Sequence, residues 1–84
     1  MATVIIEPEA QTQLDRVPRG IHGRILNLIA RLEKWPQVSG AKPLRRNLAG
    51  KYRLRTGDWR LIFRVAGEIV IIEAIENRRD VYGG

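Results

Sequence analysis

The spacing of apolar residues changes halfway along the chain, and this change constrains the fold more than any other feature. Between Ile21 and Trp35, apolar residues recur every three or four positions, as in an amphipathic helix. From Lys51 onward, apolar and polar residues alternate, as in strands that bury one face. The chain therefore begins mainly helical and ends as a β-sheet, which predicts an α+β fold.

Prolines divide the first half of the chain into a strand and two helices. Residues 3–6 form a short apolar run that predicts an opening strand. Pro8 suits the first turn of a helix, and Pro18 ends that helix and starts the next one. Pro36 stops the second helix. We therefore expect an N-terminal strand followed by an α-helical hairpin.

Four strands are expected after the helices, at residues 44–48, 51–56, 59–65 and 69–75. Gly57-Asp58 has glycine first, as a two-residue type II′ turn requires, and Ala66-Gly67 marks the next turn. Residues 1–84 then form a single domain, with the helices packed on one face of a mainly antiparallel sheet. The other face of the sheet is left for solvent or a partner.

The composition excludes several classes of protein. The chain has no cysteine, so it holds neither a disulfide framework nor a thiolate metal site, and we expect no metal and no cofactor. The N-terminus lacks the basic region of a signal peptide, and no segment approaches the ~20 apolar residues that a membrane span needs. The expected location is the cytoplasm, without a membrane partner.

The net charge points to an anionic partner. Fifteen Lys and Arg residues outnumber nine Asp and Glu residues, and only three of the fifteen are lysines. Arginine presents a planar fork that binds phosphate through two hydrogen bonds, whereas lysine acts as a point charge. The excess of arginine favours a nucleic-acid partner, and a solvated surface of biased composition is the alternative.

The turn at Gly57-Asp58 sets the register of the two strands that flank it. A two-residue turn places Arg55 opposite Arg60 and Lys51 opposite Arg64. Because side chains alternate along a strand, the basic and apolar residues separate onto opposite faces. One face carries Lys51, Arg53, Arg55, Arg60 and Arg64. The other carries Tyr52, Leu54, Trp59, Leu61 and Phe63.

Opposed like charges make this basic face unfavourable for folding alone. A pair such as Arg55 and Arg60 destabilises a sheet by up to ~1 kcal/mol, and an anion held between the two reverses the sign. The alternative is a face neutralised by salt bridges, for example from Arg60 to Glu73, but we expect too few nearby acids for that. The pattern therefore predicts a surface that binds RNA phosphates.

The C-terminal segment adds two arginines and an aromatic ring close to the end of the last strand. Arg78, Arg79 and Tyr82 lie within seven residues of Glu76. Arginines beside a tyrosine suit the phosphates and the stacked base of single-stranded RNA. Taken alone, Tyr82 is better explained as a packing residue or as part of a disordered tail.

Two stretches of the chain resemble RelE/ParE-type bacterial toxins. The run from Leu44 to Val65, LRRNLAGKYRLRTGDWRLIFRV, resembles the core of these toxins, and NRRDVY at the C-terminus resembles their terminal HRRDVY motif. The likeness covers nearly the whole chain. It implies a RelE-like fold of the microbial RNase type, in a toxin of a type II toxin–antitoxin pair. A cognate antitoxin would be its partner, and operator DNA would be contacted only through their complex.

The resemblance also implies an activity. RelE-like toxins are endoribonucleases that cut mRNA in the ribosomal A site, where the 2′-OH attacks the adjacent phosphate and leaves a cyclic phosphate and a free 5′-OH. The ribosome and mRNA would then be partners. By this resemblance the catalytic residues are Arg53, Arg55, Arg60, Arg78 as the general acid, and Tyr82 as the ring that stacks on a base. Further RNA-binding residues would be Lys51, Arg64 and Arg79.

The general base is not identified by the sequence. Family members often have lysine where Arg53 and Arg55 stand, and many have histidine where Asn77 stands. A lysine crowded by like charges can release its proton, whereas arginine cannot. Glu73 and Glu76 are possible bases, but a surface role explains each of them better.

Two other functions are compatible with the sequence. A ParE-like member of the same superfamily inhibits DNA gyrase by binding and cuts no RNA. A non-catalytic RNA-binding module would keep the basic face without the chemistry. The basic set together with Tyr82 favours the endoribonuclease.

Overall fold

The computed structural model describes residues 1–78. The elements in chain order are β1 (Thr3–Ile6), α1 (Pro8–Arg16), α2 (Arg19–Leu32), β2 (Lys42–Pro43), β3 (Lys51–Thr56), β4 (Trp59–Ala66) and β5 (Ile69–Asn77). A short 3₁₀ helix, Arg46–Leu48, lies between β2 and β3. The α+β fold predicted from the sequence is confirmed.

The strands form one sheet in the order β1-β5-β4-β3-β2. β1 and β5 are parallel, and every other neighbouring pair is antiparallel. The three long C-terminal strands are joined by tight turns, so they lie side by side in chain order. The first strand, β1, lies at one edge of the sheet beside β5, the last strand in the chain.

The prediction of a strand at residues 44–48 was wrong. The strand in this region is Lys42–Pro43, and Arg46 and Gly50 then take the left-handed φ values of +60° and +92°. Left-handed residues interrupt an extended chain, so this segment turns between β2 and β3. The last turn also differs by one residue, because Ala66 pairs with Ile69 and leaves Gly67-Glu68 as the loop.

Helix α2 ends at Leu32, three residues before the predicted end at Trp35. Trp35 instead packs its ring edge-on against Tyr52 and Phe63, with centroid distances of 4.9 and 5.4 Å. Helical spacing alone could not separate this packing residue from the helix that precedes it.

One face of the sheet packs against the two helices. Leu54, Leu61 and Phe63 are buried there, and Tyr52 and Trp59 are half-buried beside them, as the alternation predicts. Each fully buried side chain of this size contributes about 1.5–3 kcal/mol to the free energy of folding. The opposite face is thereby left to the basic residues.

Helix α1 covers the edge of β5 that β1 does not reach. β1 pairs only with residues Ile69 to Ile72 of β5. Beyond them, the side-chain oxygen Oε1 of Gln13 accepts a hydrogen bond of 2.6 Å from the backbone N–H of Ile75. A partner for this N–H protects the sheet edge and sets α1 beside the basic face. In the part of the chain that the structure describes, no helix is both long enough and apolar enough to cross a membrane.

Candidate phosphate-binding site

The register predicted from the Gly57-Asp58 turn is confirmed. Arg55 pairs with Arg60, Lys51 with Arg64, and Arg53 with Ile62. Gly57 has φ +59°, as the first residue of a type II′ turn requires. The five basic residues of β3 and β4 therefore share the face that points away from the helices.

A sixth basic residue joins this face from β2. Lys42 lies directly opposite Arg53, and opposed residues of antiparallel strands point to the same side of the sheet. Lys42 is exposed. Sequence reasoning missed it, because a two-residue strand carries no periodic signal. We call the six residues Lys42, Lys51, Arg53, Arg55, Arg60 and Arg64 the basic face.

A β-bulge in β5 decides which acids reach the basic face. The register between β4 and β5 shifts at Ile62/Phe63, so that Glu73 becomes an extra residue. In a regular strand Glu76 would point to the same side as the buried Val70 and Ile72. The extra residue reverses the alternation, and Glu76 lies opposite Arg60 instead.

Glu73 neutralises two of the basic residues. Its Oε1 lies 2.7 Å from the ammonium of Lys51, and its Oε2 lies 3.0 Å from Nε of Arg64. The close contact with the Lys51 ammonium, helped by the charges of Lys51 and Arg64, lowers the pKa of Glu73 against the opposing effect of burial. The expectation of too few nearby acids was therefore wrong for this part of the face.

Glu76 neutralises a third basic residue, Arg60. Its Oε1 accepts a hydrogen bond of 3.2 Å from Nε of Arg60. The alternative considered from the sequence, a pair between Arg60 and Glu73, is replaced by this one because of the bulge. Arg55, Arg60 and Glu76 thus form one row across three adjacent strands.

The other three residues of the basic face have no acidic partner among residues 1–78. Within residues 1–78, no ion pair neutralises Lys42, Arg53 or Arg55. Arg55 is exposed and Arg53 is half-buried. These three form the outer end of the face, towards the β2 edge of the sheet, and we call them the unpaired group. An anion from outside residues 1–78 would relieve their repulsion.

A cleft of about 430 Å³ opens on the basic face beside the paired residues. Ile62 and Ala74 lie opposite each other in the middle row of the face, and Ile62 is only 6% exposed. Around them the cleft is lined by Glu7, Glu9, Gln13, Leu48, Lys51, Arg60, Glu73 and Glu76. Sequence reasoning missed the α1 and Leu48 contributions, since they come from segments distant in the chain.

Of the site residues predicted in the C-terminal segment, only Arg78 lies within the described residues. Arg78 follows β5, and its backbone N–H donates to the carbonyl of Asp58 over 2.6 Å. This bond sets the start of the C-terminal segment beside the turn that joins Arg55 to Arg60. Arg79 and Tyr82 lie outside the described residues.

The arrangement suits the binding and polarisation of a phosphodiester. Arginines that converge on one phosphate stabilise the extra charge of a pentavalent transition state. In the described part of the chain, no group of three or more His, Cys, Asp or Glu side chains is arranged to hold a metal ion.

Comparison with known proteins identifies the family. Residues 4–82 match the family described as the ParE toxin of the type II toxin–antitoxin system parDE. The chain belongs to this family. Its toxins are part of the RelE/ParE superfamily, as the sequence resemblance predicted.

Relatives agree with this assignment. The chain is 34% identical to the toxin RelG of Mycobacterium tuberculosis, over 95% of this chain and 94% of that protein. It is similar to a chain of the RelBE2 toxin–antitoxin complex from the same organism, with a TM-score of 0.81, 30% identity and coverage of 92% and 98% of the two chains. The isolated Escherichia coli RelE toxin shares the fold, with a TM-score of 0.76 at 13% identity and coverage of 99% and 93%.

Proposed function

We propose that this toxin is an endoribonuclease that cuts mRNA in the ribosomal A site through attack of a 2′-OH on the adjacent phosphate. The observation that carries the proposal is the unpaired group at the edge of the basic face, next to Arg60. A domain of this size gains nothing for folding from opposing Lys42 to Arg53 and Arg55 to Arg60. It gains a site that a bound phosphate completes.

Each arginine has a role in the proposed reaction. Arg53, Arg55 and Arg60 surround the scissile phosphate and stabilise the charge that develops on it. Arg78 is proposed as the group that assists the departing 5′-oxygen, and Tyr82 as the ring on which a base stacks. Lys51, Arg64 and Arg79 are proposed to hold flanking phosphates.

The proposed partners are a cognate antitoxin, the ribosome and mRNA. Two of the similar solved structures are complexes of a RelE toxin with its RelB antitoxin. We propose that an antitoxin segment with acidic side chains competes with RNA for the unpaired group, and that operator DNA is bound only by the resulting complex. An antitoxin that binds only the folded toxin would also stabilise it.

A second candidate function is inhibition of DNA gyrase by binding. The family match to ParE toxins favours it. The two functions require different groups on the basic face. Cleavage of RNA requires groups that transfer protons, whereas a gyrase inhibitor only has to bind.

Primer extension during toxin expression tests the proposal. We expect 5′ ends that map within translated codons, and we expect DNA gyrase to remain unaffected. Intact mRNA together with trapped gyrase–DNA complexes would establish the second function instead. As a check on the site, Arg60→Ala and Arg78→Ala are expected to relieve growth arrest while the purified variants keep a cooperative unfolding transition.

A further inference from the structure

We infer that Glu76 is the general base of this site and takes the proton from the attacking 2′-OH. The inference rests on the proposed nuclease function and adds to it the one group that the arginines cannot supply. A guanidinium stays protonated in proteins, so Arg53, Arg55 and Arg60 stabilise charge without accepting a proton.

Glu73, the other carboxylate on the face, is occupied. Lys51 contacts its Oε1 and Arg64 contacts its Oε2, so that both oxygens are engaged by cations. These contacts lower the pKa of Glu73 and make it a weak proton acceptor. Its side chain is also only 18% exposed, which leaves little room for a substrate hydroxyl.

Glu76 has the geometry that Glu73 lacks. Arg60 donates to its Oε1, whereas no hydrogen bond from residues 1–78 reaches Oε2. The side chain is 32% exposed and lines the cleft. A base that one neighbour orients, with a second atom open to substrate, is the arrangement found beside activated nucleophiles.

The position in the sheet brings Glu76 within reach of the reacting nucleotide. Arg55, Arg60 and Glu76 occupy one row on three adjacent strands. Neighbouring strands lie about 4.8 Å apart, so a phosphate held between the two arginines is one strand away from the carboxylate. The bulge at Glu73 is what places Glu76 on this row, since regular alternation would turn it towards the core.

The proposed step is balanced without any further reagent. Oε2 of Glu76 takes the proton of the 2′-OH as the bond between the 2′-oxygen and phosphorus forms. The bond between phosphorus and the 5′-oxygen breaks, and its electron pair leaves on that oxygen, which Arg78 assists and which takes a proton from water. The hydroxide that remains takes the proton from Glu76 and restores the carboxylate. The products are a 2′,3′-cyclic phosphate and a 5′-OH, and no oxidation or reduction occurs.

Several charged groups face Glu76. Arg60 contacts it from β4, Arg55 lies beyond Arg60 on the same row, and Glu7, Glu9, Lys51 and Glu73 line the same cleft.

The test is single-turnover cleavage of A-site mRNA on purified ribosomes by the full-length toxin. Glu76→Gln keeps an oxygen for Arg60 but cannot accept the proton, and we expect cleavage to slow about 10²- to 10⁴-fold. The acidic limb of the pH–rate profile is expected to disappear in Glu76→Gln and to persist in Glu76→Asp. Glu68→Gln, in the turn at the other end of β5, makes the same charge change and should cut at the wild-type rate.

Binding separates the proposed role from a merely structural one. We expect Glu76→Gln to hold an A-site mRNA with a 2′-deoxy nucleotide at the cut at least as tightly as the wild type, because Arg60 loses a competing anion. If Glu76→Gln cuts mRNA at the wild-type rate and with the wild-type pH profile, Glu76 is not the general base, although the proposed nuclease function still stands. A wild-type toxin that cuts no mRNA would overturn both.

Discussion

The two ends of the basic face contain the same kinds of residue but differ in whether acidic side chains of residues 1–78 neutralise them. At the inner end, Lys51 and Arg64 are neutralised by Glu73, and Arg60 is neutralised by Glu76, which the β5 bulge turns to this face. At the outer end, Lys42, Arg53 and Arg55 oppose other cations and meet no acid of residues 1–78. Within residues 1–78 the cations of the inner end are already neutralised, whereas those of the outer end are not. We therefore expect the unpaired group, together with the adjacent Arg60, to contribute most to the binding of a phosphate.

Removing an arginine of the unpaired group gives the largest expected effect. We expect Arg55→Ala to lower the rate of mRNA cleavage about 10²- to 10³-fold, as the loss of one donor to a transition-state oxyanion does. Its free energy of unfolding in urea should stay unchanged or rise slightly, because the repulsion from Arg60 is removed.

Removing an arginine from the paired end should instead lower stability more than it lowers the cleavage rate. Arg64→Ala is the matched variant, and we expect it to cost stability while cleavage falls much less than in Arg55→Ala. Equal losses of cleavage in the two variants would show that the distinction between paired and unpaired cations has no functional meaning.

A smaller effect is expected from removing the charge of Glu73. Glu73→Gln leaves Lys51 opposite Arg64 without a neutralising carboxylate, and we expect a loss of about 1 kcal/mol in the free energy of unfolding at pH 7, since the cluster is partly exposed. The lowered pKa of Glu73 means that its contribution is present above the ordinary value of 4.5 and is lost as the pH falls through the lower, folded-state value. Urea unfolding of both proteins should show their difference shrinking below pH 4.5. A difference that stays constant with pH would contradict this account of the cluster.

The smallest expected effect comes from Lys42. Lys42→Ala should weaken the binding of uncleavable RNA a few-fold and reduce the slope of log affinity against log salt by about 1, as the loss of one phosphate contact does. Lys34→Ala removes a lysine that follows α2, away from the sheet face, and should leave the slope unchanged. If the two lysine variants have the same salt dependence, Lys42 does not belong to the site.

Local patterns were enough to predict most of the framework. The Gly57-Asp58 turn and the strict alternation around it predict the pairing of β3 with β4 residue by residue, because the turn and the strands are adjacent in the chain. The apolar face that packs on the helices follows from the same alternation. The family resemblance predicted the overall fold.

The acids of the site could not be predicted in the same way. The bulge at Glu73 inserts one residue into an apparently regular strand, and nothing in the alternation of residues 69–77 marks where the phase reverses. The pairing of Arg60 with Glu76 depends on that reversal. Lys42 and the α1 side of the cleft likewise depend on contacts between distant segments, which a periodic pattern does not encode.

We propose that the basic face binds a phosphodiester in order to cut it. The most direct measurement compares the wild-type toxin on ribosomes programmed with an all-ribose mRNA and with the same mRNA carrying one 2′-deoxy nucleotide at the cut position. We expect the first to yield a 2′,3′-cyclic phosphate and a 5′-OH at a defined A-site position, and the second to remain intact although it is bound. Cleavage of the 2′-deoxy mRNA, or an all-ribose mRNA that stays intact under saturating toxin, would contradict the account.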